Sequence, residues 1–325
     1  MHHKTGIILR LFHTDGGYIS GEHLSKELGV SRTAVWKQIS KLRNNGYRIV
    51  AVPSRGYRLI SSPNSMDPHE VTASLHSIRI GQRLIFIKKT SSTNTDAFRL
   101  AEEGAVEGTV VLADSQTGGK GRRGRVWISP SGVNLYCSVI LRPVIMPHEA
   151  PQLTFISAVA VARTIELTTG LLPKIKWPND ILISGKKVAG LLNEMSAETD
   201  GINFVILGIG VNVNMSADQL SVDLRHPATS LLLESGAGVD LSRFTGILLG
   251  ELDRLYTDFL AHGFEPVREE WQERCNAKGR QVLVSDSGTL CTGGRFVGID
   301  SDGALLLRAE DGVQHRITCG DVRVI

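Results

Sequence analysis

Two periods of apolar and polar residues run along this chain, and the change from one to the other marks its parts. Val35, Ile39 and Leu42 recur at intervals of four and three, the stripe of a helix that buries one face. Residues 3–60 read as helix, helix, turn, helix and hairpin. Ser20 caps a short helix that carries Leu24 and Leu28 inward and ends at the Gly29-Val30-Ser31 turn. Ser31 then caps the striped helix, which Gly46 ends. Tyr47–Val50 and Gly56–Ile60 alternate at period two and form a two-stranded wing. Ser61-Ser62-Pro63-Asn64-Ser65 is polar and proline-broken, the composition of a linker.

Beyond the linker, strand and helix patterns alternate. Strands are predicted at Leu84–Ile87, Gly108–Asp114 and Asn134–Leu141, with helices at Thr95–Glu103 and Leu153–Leu167. Lys174–Ile183 is a strand broken at Trp177-Pro178, and Ser184-Gly185-Lys186 turns it back into Lys187–Leu192. Phe204–Asn214 is an apolar strand holding Gly208, Gly210 and Asn212. Glycines there mark the close approach of a ligand or another backbone. Asn212 either needs a partner or satisfies a turn. Met215–Pro227 reads as a loop. Leu248, Leu252, Leu255 and Phe259 stripe a long helix capped by Ser242 and ended by Gly263. From Lys278 onward, short apolar strands separated by Asp286-Ser287-Gly288, Asp300-Ser301-Asp302-Gly303 and Asp311-Gly312 predict a small all-β barrel.

The charge is unevenly spread. Residues 1–60 hold ten Lys/Arg against Asp15, Glu22 and Glu27, a net of +7 within a chain of net +3. A basic N-terminal module with a helix-turn-helix pattern points to nucleic acid, although a helical protein–protein module has the same outline. Ser31, Arg32, Thr33, Trp36 and Lys37 on the second helix and Arg55 on the wing are the expected DNA contacts. The helix would enter the major groove and the wing would lie on phosphates. No uncharged run is long enough to span a bilayer, and Met1–Phe12 lacks a cleavage site, so no membrane association is expected. Cys137, Cys275, Cys291 and Cys319 are scattered, as in a cytoplasmic protein with reduced thiols.

The richest chemistry lies in Gly118-Gly119-Lys120-Gly121-Arg122-Arg123-Gly124-Arg125-Val126-Trp127. This stretch interleaves four cations with four glycines, and no Asp or Glu occurs from Ser115 to His148. Such a loop suits a polyanion, although its spacing is that of neither a P-loop nor a dinucleotide fingerprint. The hydroxyl cluster Thr90–Thr95 either caps a helix or offers donors to a polar ligand.

Taken with Ser92-Thr93-Asn94, Lys176-Trp177-Pro178-Asn179-Asp180, Lys187-x-Ala189-Gly190 and Gly208-Ile209-Gly210-Val211-Asn212, this loop resembles the biotin–protein ligases. The N-terminal module makes the chain similar to the bifunctional class, ligase and biotin-operon repressor in one. The resemblance implies an α+β protein. It would comprise a winged helix-turn-helix over 1–62, a central mixed α/β biotin–lipoate ligase catalytic domain over 63–275 and an SH3-like β-barrel over 276–325. It implies that the biotin carboxylate attacks the α-phosphate of ATP, releasing pyrophosphate. A lysine of the biotin carboxyl carrier protein then attacks the mixed anhydride and releases AMP.

By match, Ser92, Thr93, Asn94, Gln116, Gly119, Lys120, Gly121, Arg122, Lys187, Gly208 and Gly210 surround biotin. Arg122, Arg123, Trp127, Asn179 and Asn212 meet the nucleotide. Lys187, Arg122, Arg123 and Arg125 supply cations that bring two anions together. Asp180 is a candidate Mg²⁺ ligand, a base for the acceptor lysine, or a turn residue. Mg²⁺ is expected on the triphosphate. The implied partners are the carrier protein, operator DNA and, with biotinyl-5′-AMP bound, a second copy of the chain. A lipoate-type ligase, or a ligand-sensing repressor without ligase activity, are the alternatives.

Overall fold

The computed structural model describes residues 2–63, 65–199, 201–220, 227–286 and 290–325. Asn64 of the expected linker, residues 221–226 of the expected Met215–Pro227 loop and residues 287–288 of one expected turn lie outside the described residues. The chain forms two compact units, one of residues 1–76 with Asp240–Ile247, the other of Ser77–Val239 with Leu248–Ile325.

The first unit contains α1 (His2–Asp15), α2 (Gly21–Leu28), α3 (Arg32–Asn44), β1 (Arg48–Val52), β2 (Gly56–Ser61) and α4 (Pro68–Ser74). Ser20 and Ser31 cap α2 and α3 as expected, accepting from the backbone N–H of His23 and Ala34. Val35, Ile39 and Leu42 are buried with Leu24, Leu28, Ile8 and Phe12 in one core. The wing gains a third partner that the sequence pattern hid: Ile19 and Tyr57 exchange both backbone hydrogen bonds at 2.8 Å. The unit continues past residue 62 because α4 packs on α1, where Glu70 accepts from Ser62 at 2.6 Å and contacts His13 at 2.7 Å.

The second unit contains β3 (Arg83–Ile87), α5 (Thr93–Glu102), β4 (Thr109–Ala113), β5 (Leu135–Leu141), α6 (Gln152–Thr169), β6 (Lys174–Lys176), β7 (Asp180–Ile183), β8 (Lys186–Glu198), β9 (Gly201–Val211) and α7 (Leu231–Ser235). It goes on with α8 (Leu241–His262, whose first residues belong to the other unit), α9 (Glu265–Arg274), β10 (Gln281–Asp286), β11 (Leu290–Ile299), β12 (Leu305–Arg308), β13 (Gln314–Ile317) and β14 (Asp321–Val324). Among the described residues, β3-β4-β5-β9-β8-β7-β6 form one mixed sheet. β4 and β5 are buried along their whole length, which explains their largely apolar sequences, interrupted at Thr109 and Ser138.

Registry sets the working face. Tyr136, Ser138 and Ile140 of β5 pair with Gly210, Gly208 and Ile206 of β9, which pair in turn with Gly190, Leu192 and Glu194 of β8. Alternation puts these nine residues on one face. Ile140 and Ile206 pack under α5 with Ala97 and Ala101, and α6 covers the face that carries Asn193, which donates to Thr154. Strands β13-β12-β11-β10-β14 form the small C-terminal antiparallel sheet, with Val282, Val284, Phe296, Leu305, Leu307 and Val322 buried.

Three local expectations need correction. Helix α5 starts at Thr93, not Thr95, and Ser92 at its cap position makes no side-chain cap bond. The Gln116 side chain takes that place, its Oε1 accepting the Thr93 N–H at 2.8 Å. Ser242 does not cap α8: Asp240 accepts from the Arg243 N–H at 3.0 Å, and Ser242 lies inside the helix, accepting from the Asp67 N–H. β8 runs six residues beyond the expected Leu192 because its outer half pairs with β9 down to Glu198.

Candidate active site and nucleic-acid interface

One cavity of about 240 Å³ opens on the α5 face of the sheet. Its lining includes every expected small-ligand residue except Gly119: Ser92, Thr93, Asn94, Gln116, Lys120, Gly121, Arg122, Arg123, Arg125, Trp127, Asn179, Asp180, Lys187, Gly208, Gly210 and Asn212. Gly119 shapes the wall from behind, since a Cβ there would stand 2.3 Å from the Trp127 carbonyl oxygen.

The basic stretch is a folded hairpin. Trp127 N–H donates to Gly119 O at 2.9 Å, Gly121 N–H to Arg125 O at 2.7 Å, and Arg123 takes the left-handed conformation at the tip, φ 56°. Its cations are tied to three different elements. Lys120 Nζ lies 3.4 Å from Glu194 of β8, Arg122 donates to Asn179 Oδ1 at 3.1 Å, and Arg125 pairs with Asp321 of β14. Burial, then the neighbouring charge of Arg123, holds the Arg122 guanidinium below its ordinary value. Burial pushes the Asp321 carboxyl up, but Arg125, Arg123 and Lys176 outweigh it and hold the group below the usual carboxylate range.

Lys187 projects from β8 with Nζ 2.6 Å from Asp180 Oδ1 and 5.4 Å from the Trp127 ring centroid. The indole lies across the paired glycines 190 and 210, and a Cβ on Gly210 would meet its Cε2 at 2.7 Å. Trp127 Nε1 is buried and without a hydrogen-bond partner among the described residues. Gly208 makes room for Asn94 in the same way, its absent Cβ falling 2.3 Å from Asn94 Oδ1. The close approach marked by these glycines is therefore that of the protein's own side chains. Asn212 finds internal partners, donating to Thr229 O at 3.0 Å and accepting from Asn134 at 3.3 Å.

The cavity thus has a hydroxyl- and amide-lined part at Thr93, Asn94 and Gln116, an indole floor, and a cationic part at Arg122, Arg123, Arg125, Lys176 and Lys187. Such a cavity can hold a small polar ring and press its anionic tail against a phosphate. Sequence reasoning missed Asp321, which nothing in its local sequence singles out, and Lys176, which lay within a quoted motif without a role.

The expected DNA residues are on the surface of the first unit. Trp36 is 56% exposed, an unusual fraction for an indole that only packs. Arg32 pairs with Glu22 at 2.7 Å, so its charge is partly spent within the module. Arg55 stands 4.4 Å and Arg58 5.1 Å from the Tyr18 ring centroid, a basic pair held on the wing by one aromatic ring.

These features define a winged helix-turn-helix joined to an α/β domain with a ligase-type pocket. Family models match in the same order: an HTH domain over residues 4–58, the biotin/lipoate A/B protein ligase family over 85–212 and the biotin protein ligase C-terminal domain over 279–324. The chain is 42% identical over 319 residues to the bifunctional ligase/repressor BirA of Bacillus spizizenii, covering 98% of this chain and 97% of that one. Identity to BirA of Escherichia coli is 31% over 302 residues, covering 92% and 90%. Among solved structures, biotin protein ligase from Aquifex aeolicus in complex with biotin and ATP superposes with TM-score 0.64 at 29% identity, covering 75% of this chain and 99% of that one. The chain belongs to the family of bifunctional biotin ligase/repressors. Among the described residues, no helix is long and apolar enough to cross a membrane.

Proposed function

We propose that this chain joins biotin to AMP at the expense of ATP and passes the biotinyl group to a lysine of a biotin carboxyl carrier protein. The observation that carries this reading is one cavity joining the amide- and hydroxyl-lined part to the Lys187–Asp180 pair and the arginine hairpin. Biotin's ureido ring belongs at Thr93, Asn94 and Gln116, and its carboxylate near Lys187. Arg122, Arg123 and Arg125 take the phosphates, and the Trp127 face takes the adenine. Among the described residues, Asp180 and Asp321 are the carboxylates that line the cavity, and each is paired with a cation. No cluster of three His, Cys, Asp or Glu among the described residues could cage a metal. Mg²⁺ is proposed to enter on the triphosphate, whose charge it would shield. Incubating the chain with biotin, ATP, Mg²⁺ and a carrier domain should add one biotinyl mass to one lysine. A mass gain with lipoate and none with biotin would replace this reading with that of a lipoate ligase.

The winged helix is the operator-binding module, with biotinyl-5′-AMP as corepressor acting through a two-fold dimer. Biotin plus ATP should tighten operator binding and drive dimerisation, and excess unmodified carrier should reverse both. Equal operator affinity with and without the adenylate would sink the coupling and leave the ligase reading intact.

A further inference from the structure

Glu194 lies outside the cavity lining, yet it is the origin of a hydrogen-bond chain that ends inside it. Its Oε2 accepts from Asn94 Nδ2 at 2.7 Å, and the Leu192 carbonyl accepts from the same nitrogen at 3.2 Å. Both partners are acceptors, so the Asn94 amide has one orientation, NH₂ toward β8 and Oδ1 toward β5. Oδ1 lies 2.6 Å from the Ser138 hydroxyl, which is completely buried. An amide oxygen only accepts, so the single Ser138 proton goes to Asn94. The 2.8 Å contact between Ser138 Oγ and Thr93 Oγ1 then takes the Thr93 proton. Thr93 Oγ1 also lies 3.2 Å from Gln116 Oε1, but the shorter contact claims its only proton.

Gln116 is oriented by a second chain of the same kind. Ser129 donates to the Trp127 carbonyl at 2.9 Å, so it must accept from Gln116 Nε2 at 3.0 Å. Gln116 Oε1 is therefore turned toward Thr93. With the protons so assigned, the cavity wall presents Thr93 Oγ1 and Gln116 Oε1 as two acceptor oxygens 3.2 Å apart. Such a pair calls for an N–H donor from the ligand and disfavours a ligand acceptor.

We infer that Glu194 is a positioning residue that sets the polarity of the ligand-recognition wall, making it select a ring with N–H groups. Glu194 works through Asn94, Ser138 and Thr93 and does not touch the ligand. Lys120 of the hairpin, 3.4 Å from the other carboxylate oxygen, ties the same group to the loop that covers the cavity. The inference rests on the biotin reading, because the cyclic urea of biotin is the N–H donor invoked.

Equilibrium titration of biotin alone into the full chain provides the test, with the unliganded melting temperature as a folding control. In Glu194→Gln, Lys120 draws the new amide oxygen and turns its NH₂ toward Asn94. Asn94 then meets donor with donor, or flips and sets Oδ1 against the Leu192 carbonyl; either outcome disturbs the hydroxyl chain. Biotin affinity should fall about ten- to hundredfold, while turnover at saturating biotin and the KM for ATP stay near wild type. The exchange variant Asn94→Asp/Glu194→Gln keeps an acceptor toward Ser138 and a donor–acceptor pair between 94 and 194. It should recover part of the lost affinity, because the carboxylate at position 94 can no longer donate to the Leu192 carbonyl. Glu194→Ala, which offers no new donor, should fall between wild type and Glu194→Gln. Wild-type affinity in Glu194→Gln, or an exchange variant no better than the single one, overturns the inference while leaving the ligase reading in place. A wild-type chain that does not bind biotin overturns both.

Discussion

Trp127 lies directly on Gly210, and any Cβ at that position would stand 2.7 Å from the indole. The neighbour Gly190 leaves 3.1 Å, so the ring rests on a bed of two glycines and has no room to sink. Gly210→Ala should lift the indole out of the floor, cost about 1–3 kcal/mol of stability through overpacking and slow adenylate formation. Pyrophosphate exchange together with tryptophan emission checks it. Unchanged exchange would show that the nucleotide does not use this surface.

Lys187→Ala removes the cation expected between carboxylate and α-phosphate and leaves Asp180 unpaired. Loss of one preorganised donor corresponds to a rate decrease of roughly 10²-fold or more. Pyrophosphate exchange at the wild-type rate, in a variant that melts normally, would remove Lys187 from the chemistry.

Arg122 joins the hairpin to Asn179 at 3.1 Å. Arg122→Gly should loosen the cover over a reactive mixed anhydride, so that biotinyl-AMP escapes and labels lysines on bystander proteins. Tight adenylate retention by the variant, measured by gel filtration, would contradict a lid role for the hairpin.

How far the sequence announced these sites differs from one to the next. The stripe Val35, Ile39, Leu42, the serine caps and the arginine-glycine stretch carry their meaning locally, and the structure keeps them. The cap of α5 was not legible, because its acceptor is Gln116, 23 residues away, while four nearer hydroxyls compete on paper. Helix α9 was missed because only Val267 and Trp271 are buried in a sequence of mostly charged residues. Asp321 reaches the cavity only through the fold, 196 residues from its partner Arg125. Glycines 208 and 210 announce room for something close, but only the fold brings Asn94 and Trp127 into it.

His13 predicts a pH dependence in the first unit. The hydrogen bond that His13 donates to Glu70, which is 4% exposed, outweighs burial and raises the imidazole above its ordinary 6.5. The folded state then holds the proton more tightly than the unfolded chain. Its contribution to stability is complete below the unfolded value and is lost as pH rises through the folded one. As pH rises above the ordinary 6.5 of the imidazole, the winged-helix unit should lose more melting temperature than a His13→Gln variant does. Parallel curves would mean the pair does not titrate with folding.

Binding of the winged helix to operator DNA should weaken steeply with salt, as counterion release requires for a +7 module. Arg55→Ala should flatten the slope of log affinity against log salt by about one unit, with little change in sequence preference. An unchanged slope in a gel-shift series would take Arg55 off the phosphates.

The strand order has a consequence for synthesis. β9 sits between β5 and β8, so neither pocket wall can form until residue 211 has been made, and Arg125 waits for residue 321. A chain emerging from the ribosome thus has the core of its first unit, Ile8 to Ala73, before the pocket walls exist, while the Asp240–Ile247 part of that unit follows later. Chains stopped short of β9 are barred by topology alone from releasing an acylating agent beside the exposed lysines of their neighbours.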